Sequence, residues 1–283
     1  MSEPVVSNAV VGQYERFSLY NSPYPAHDRG CAIDLYPGTG VPSPVSGTVL
    51  DTRSVDCPAR SYAVDHDHLL LVDTGEYVAR ILHVETDLTE GSTVAVGDRL
   101  GSMVRSGFFG RWVDNHIHLE FRDPEQNLHR ASGSVPLSVD VDVSPLRWDG
   151  IGTIVETGPT HVRLDTPRHT GSGFAALGSD DGVPLDGGVP HYTGGGRLDR
   201  DTGSEESAPL SLLGTEVGCA AGRNVEWGDV AVVVDGQRAT GLSLFATQIQ
   251  HGAKIVFHEG HDFAVGQRVT VGIEPTGDPI RLG

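Results

Sequence analysis

Along this chain apolar and polar residues alternate over short stretches that break at glycine or proline, the pattern of half-buried β-strands with tight turns. The sharpest case is His116-Ile117-His118-Leu119-Glu120-Phe121-Arg122-Asp123-Pro124. In an extended chain Ile117, Leu119 and Phe121 share one face, and His116, His118 and Glu120 share the other. Shorter runs of the same kind stand at 10–19, 77–83, 152–156, 161–164, 230–234 and 254–257. The Asp235-Gly236 pair between two apolar runs marks a hairpin. Stretches with no alternation, such as the Gly-, Asp- and Ser-rich residues 178–207, read as a long mobile loop.

The expected class is therefore all-β. A metal-ligating strand domain over residues 1–148 would be followed by a second β-rich domain over 149–283, of unassigned role, with the loop at 178–207 inside it.

Composition narrows the functions open to such a chain. Its 283 residues carry 20 Lys and Arg against 38 Asp and Glu, a formal net charge of −18, which disfavours nucleic acid or an anionic membrane as partner. Lys254 is the single lysine. An acidic surface almost without lysine is the expectation for a protein of a high-salt, halophilic cytoplasm, where screening removes self-repulsion. No apolar run is long enough to span a membrane and the N-terminus lacks the pattern of a secretory signal, so the expected location is cytoplasmic. Cys31, Cys57 and Cys219 are too few and too scattered for a disulfide framework or a zinc ribbon; Cys31 reads as a small buried filler.

Candidate chemistry concentrates on histidine. Imidazoles two residues apart on a rigid strand suit a zinc ion when a third protein ligand comes from elsewhere and a fourth position is open to water. Upstream, Pro25-Ala26-His27-Asp28-Arg29-Gly30 is a turn-forming loop running into the short apolar strand that carries Asp34. The strand Tyr77 to His83 ends on a third histidine. Two further clusters, His66 with His68 and His258 with His261, stand among aspartate and glutamate and read as solvated, charged turns.

The segment from His116 to Pro124 closely resembles the last motif of the lysostaphin-type zinc metallopeptidases, the peptidoglycan endopeptidases in which His-x-His is followed by an apolar residue, an acid and often Arg-Asp-Pro. Earlier segments agree in order. Gly40 to Leu50 resembles the family's Gly-x-Pro-Val hairpin, Tyr77 to His83 its Tyr-x-His-Leu strand, and Val94 to Gly101 its Val-x-x-Gly-Asp corner. The resemblance covers roughly residues 20–125. It implies an antiparallel β domain, a duplicated hybrid with a barrel-sandwich character. It also implies a zinc cofactor held by His27, Asp34 and His118, with His83 and His116 as catalytic groups beside it: His116 as general base or acid, His83 as stabiliser of the oxyanion.

Two departures stand out. The family's first His and Asp are four residues apart, whereas His27 precedes Asp34 by seven, so residues 28–30 must bulge to let His27 reach the metal. The aromatic loop Gly107-Phe108-Phe109-Gly110-Arg111-Trp112 replaces the family's small-residue loop before His-x-His, which implies a different substrate choice. The expected activity is hydrolysis of a peptide or amide bond, in a peptide or peptide crosslink, by a metal-activated water. The alternative is an inactive, metallopeptidase-like binding or regulatory module. All of it requires His27 to approach Asp34 and His118 within about 5 Å, since zinc bonds run about 2.0–2.2 Å.

Overall fold

A computed structural model describes residues 2–169, 171–200 and 207–282. Among the described residues the structure is all-β apart from two single-turn helices, α1 (Asn8–Val11) and α2 (Pro25–Asp28). It divides into two compact units, one of residues 1–17 and 30–141, the other of residues 18–29 and 142–283.

Five strands of the first unit matter here: β1 (Ala32–Tyr36), β2 (Gly47–Asp56), β3 (His66–Asp73), β4 (Val78–Leu82) and β5 (Ile117–Arg122). They lie side by side in the order β1-β5-β4-β3-β2, each pair antiparallel. The register sets Ile33, Leu119, Ile81 and Leu70 in one row across four strands, each fully buried. Burying a side chain of this size contributes about 1.5–3 kcal/mol, so the row holds the register firmly. A slip of one residue would turn all four out of the core. On the opposite face the same register lines up Asp34, His118, Leu82 and Leu69.

In the second unit twelve strands form one antiparallel sheet: β6 (Ile151–Gly158), β7 (His161–Leu164), β8 (Leu185–Val189), β9 (Gly194–Arg197), β10 (Ala208–Leu212), β11 (Thr215–Ala221), β12 (Asn224–Trp227), β13 (Val230–Val234), β14 (Gln237–Ala239), β15 (Gly241–Leu244), β16 (Lys254–Val256) and β17 (Arg268–Pro275). Their order is β10-β11-β12-β9-β8-β15-β16-β7-β6-β17-β13-β14. The core includes Ile154, Val162, Leu185, Trp227, Val232 and Ile255. Asp235 and Gly236 form the expected hairpin between β13 and β14, both at positive φ (46° and 85°), as a two-residue turn of that twist requires.

Two expectations are corrected. Residues 10–19 are not one strand: α1 takes Asn8–Val11 and only Arg16–Ser18 is extended. Residues 178–207 are not a long loop, because β8 and β9 lie inside them; residues 201–206 fall outside the described residues. The glycines that suggested a loop serve close packing instead. A Cβ on Gly195 would overlap the Trp227 ring, and one on Gly196 would overlap the ring of Tyr20. Aromatic rings lie directly on this backbone, and glycine is what lets them. Among the described residues no helix is long and apolar enough to cross a membrane.

Candidate metal centre

Asp34 and His118 are direct cross-strand partners on β1 and β5, which is how residues 84 apart in sequence come to share a site. Side chains so paired start only about 4.5–5.5 Å apart at Cβ. His118 Nδ1 lies 3.0 Å from Asp34 Oδ1, and both residues are buried.

His27 sits on α2, 1% exposed. Its Nδ1 lies 2.8 Å from the carbonyl oxygen of Leu19, which can only accept, so Nδ1 carries the proton and Nε2 keeps its lone pair. That is the usual dress of a metal-ligating imidazole, whose second nitrogen donates to a carbonyl or carboxylate. His27, Asp34 and His118 each offer one ligand atom, and these atoms lie within 4.8 Å of one another. A tetrahedral ion with bonds of about 2.0–2.2 Å needs its ligand atoms about 3.4 Å apart, so shifts of about an ångström would close the set. Two imidazoles and one carboxylate, hard to medium donors with no thiolate, fit zinc. The seven-residue spacing from His27 to Asp34 thus does not keep His27 away.

The two other histidines expected at the site lie beside this group. His116 Nε2 stands 3.3 Å from Asp34 Oδ1, while its Nδ1 donates to the Asp114 carbonyl at 2.9 Å. His83 follows β4 directly. Strand alternation alone would send it to the face of Ala79 and Ile81, away from His118. Its backbone, however, is left-handed at φ 70°, costly for a non-glycine residue, and the ring instead lies 5.2 Å from that of His116 and 5.9 Å from that of His118, centroid to centroid.

What holds His83 there is Asp67, which the sequence pattern places in a solvated turn. Asp67 is fully buried on β3. One carboxylate oxygen accepts from His83 Nδ1 at 2.6 Å and from Ser106 Oγ at 2.7 Å; the other accepts the backbone N–H groups of His68 at 2.7 Å and His83 at 3.1 Å. Burial pushes the Asp67 carboxyl up, but the hydrogen bond and charge of His83, with those of Ser106 and His68, outweigh it and leave it below its ordinary value. Burial also pulls His83 below its ordinary value, against the opposing pull of Asp67. The pair is a carboxylate and a neutral imidazole with its proton on Nδ1. Its signal was present in the alternation: Asp67, Leu69 and Leu71 are all buried on one face of β3.

Phe109 of the aromatic loop closes the site, its ring 4.5 Å from those of both His83 and His116. The loop is anchored by Tyr62, whose hydroxyl donates to the Phe109 carbonyl at 2.8 Å, and by Arg105, which donates to the carbonyls of Gly110, Arg111 and Val113. Next along β5, Glu120 is buried and bound by Arg80, Arg122 and Ser134. Its second oxygen lies 3.8 Å from His118 Nε2, beyond direct hydrogen bonding. Arg80, opposite Glu120 on β4, is pushed down to about 10 by burial and by the charge of Arg122.

The other clusters stay apart from this centre. His66 is half-buried, and His68 meets Thr52 Oγ1 at 3.2 Å. His258 Nδ1 pairs with Thr240 Oγ1 at 2.8 Å, and His261 Nε2 faces the carbonyls of Gly158 and His161. Cys31 is buried.

Residues 5–139 match the family described as "Domain of unknown function (DUF8155) N-terminal domain", and residues 144–274 match "Domain of unknown function (DUF8155) C-terminal domain". No curated protein matches the chain. Among solved structures, the antimicrobial peptidase lysostaphin from Staphylococcus simulans aligns over 97% of this chain and 100% of its own, at 13% identity and a TM-score of 0.25.

Proposed function

For a chain that belongs through both its halves to the DUF8155 family, we propose a zinc-dependent hydrolase that cleaves a peptide or amide bond. The observation that supports this reading is the convergence of His27, Asp34 and His118 to within 4.8 Å, with two more histidines, His83 and His116, beside the same point. A purely structural β protein has no use for four buried histidines around one carboxylate, since each buried polar group costs stability unless partnered.

Zinc, when bound, would supply a Lewis acid that polarises a carbonyl and lowers the pKa of a water toward about 7. The chain's own residues do the rest. Neutral His83 offers Nε2 as a proton acceptor because Asp67 occupies Nδ1–H. Having taken a proton from the attacking water, it becomes an imidazolium that Asp67 stabilises, and it can return that proton to the leaving amine or hold an oxyanion by Nε2–H. His116, with Nε2 directed at Asp34, is the second group able to hold a proton there. Phe109 covers both rings and limits water. The substrate we propose is a peptide or peptide crosslink.

The test is metal analysis joined to cleavage. Protein purified without chelator should carry about one zinc per chain and cleave members of a mixed peptide pool read by mass spectrometry. Chelation should stop cleavage and added zinc restore it. Zinc without cleavage of any amide, or no zinc at all, would favour the binding module instead. Within the active protein, Asp67→Asn should leave zinc content unchanged and lower kcat about 10–100-fold, because an amide no longer selects the Nδ1–H tautomer of His83. Unchanged kcat would remove Asp67 from the mechanism.

A further inference from the structure

We propose that Asp186, on β8 of the C-terminal half, is a positioning residue for the metal site: it fixes the turn at residues 18–21 whose Leu19 carbonyl holds His27 with its proton on Nδ1 and its Nε2 free for the ion. The proposal rests on the reading of His27, Asp34 and His118 as a metal-binding group.

Asp186 is fully buried on β8. Burial pushes its carboxyl up to about 7, against the lowering pull of the hydrogen bonds that face it. Three donors face it, all from one short stretch of chain. Ser18 Oγ donates to Oδ1 at 2.6 Å, and the backbone N–H groups of Leu19 and Tyr20 donate to Oδ2 at 2.6 and 3.2 Å. Ser18 Oγ in turn accepts the Asn21 N–H at 3.0 Å, closing the turn. Asn21 Nδ2 then donates to Ser243 Oγ at 2.6 Å and the Leu244 carbonyl at 3.1 Å on β15. The Tyr20 hydroxyl donates to Asn224 Oδ1 at 3.1 Å on β12.

Leu19 links the two contacts. Its N–H is held by Asp186 and its carbonyl is the acceptor for His27 Nδ1 at 2.8 Å. Fixing the one orients the other, because both hang on the same residue. A neutral imidazole presents one nitrogen as donor and the other as acceptor, so the carbonyl decides which nitrogen a metal meets. The α2 turn that carries His27 begins only five residues after the gripped segment and has no side-chain cap of its own. Asp186 is the group that grips Leu19 itself, while the Asn21 and Tyr20 side chains hold the neighbouring residues of the turn.

The experiment uses the full chain as wild type, Asp186→Asn, Asp186→Ala and Ser18→Ala, each checked for folding by circular dichroism. Long-range proton–nitrogen correlation spectra of metal-free protein report the His27 tautomer, and competition with a chromophoric chelator reports zinc affinity. Wild type should show His27 protonated on Nδ1. Asp186→Ala should lose that preference and bind zinc about 10–100-fold more weakly, the range expected when the partner of a ligating histidine is removed. Asp186→Asn and Ser18→Ala, which each keep part of the grip, should lie between and carry the test if Asp186→Ala does not fold. Wild-type tautomer and affinity in the folded variants would overturn the role of Asp186 while leaving the metal site standing. If wild type itself binds no zinc, the metal reading fails. The tautomer then decides the Asp186 contact alone, with Nδ1–H kept in Asp186→Asn counting against it and lost counting for it.

Discussion

His118→Ala should empty the site and stop hydrolysis, while His116→Ala should keep the metal and still lose most of the rate. His116 stands two residues before His118, just ahead of β5, and both meet Asp34, so this contrast separates ligand from catalytic group better than either variant alone. His118 is the cross-strand partner of Asp34 and one of three donors within 4.8 Å. Removing one of three protein ligands leaves an imidazole and a carboxylate, too few to hold zinc against dilution. Bound zinc should fall from about one equivalent to near zero, and the rate by at least about 10³-fold, since Lewis-acid stabilisation contributes several kcal/mol. His116 meets Asp34 from outside that donor set, its Nε2 at 3.3 Å. Its loss should cost about 10²–10⁴-fold in kcat, the worth of a positioned proton-transfer group, with zinc affinity within about tenfold of wild type. Metal loss in both variants, or in neither, would mean that the ligand set has been misassigned.

Much of this site was legible in the sequence, and what was not shares a physical cause. Alternation around His118 placed His116, His118 and Glu120 on one face correctly, because a period of two is a local property of an extended chain. The meeting of His118 with Asp34 depends on register between strands 84 residues apart, set by the buried row of Ile33, Leu119, Ile81 and Leu70. No local pattern carries that. Asp67 was overlooked because an aspartate between two histidines reads as solvated, yet its alternation with Leu69 and Leu71 pointed inward. His83 could not be placed by alternation at all, since its left-handed backbone reverses the face. Asp186 lay in a stretch discounted for its glycines, whose use proved to be contact with Trp227 and Tyr20. Composition reports what glycine permits and not which neighbour needs the space.

Acid should unfold this protein early, and His191 should be a main reason. His191 is fully buried in the C-terminal unit, in a space that glycine leaves open. A Cβ at Gly188 would stand 2.7 Å from its Nε2, and one at Gly241 would overlap Nδ1. Burial, aided by the charge of His258, pushes the imidazole down to about 3. An unfolded histidine titrates near 6.5. Between those values the unfolded chain binds a proton that the folded chain does not, so stability rises with pH across the window and is lost as pH falls from about 6.5 toward about 3. At pH 5 the loss relative to pH 7 is about 2 kcal/mol from this group alone, at about 1.4 kcal/mol per pH unit. For a chain of this size that lowers Tm by roughly 4–8 °C. His83, also held below its ordinary value, adds loss of the same sign as pH falls below about 6.5. Thermal melts at pH 7 and pH 5, at one fixed salt concentration, should show the drop in wild type and a clearly smaller one in His191→Leu, which fills similar space and cannot take a proton. Equal drops in the two proteins would mean that His191 does not resist protonation in the folded state, and that the acid sensitivity resides elsewhere.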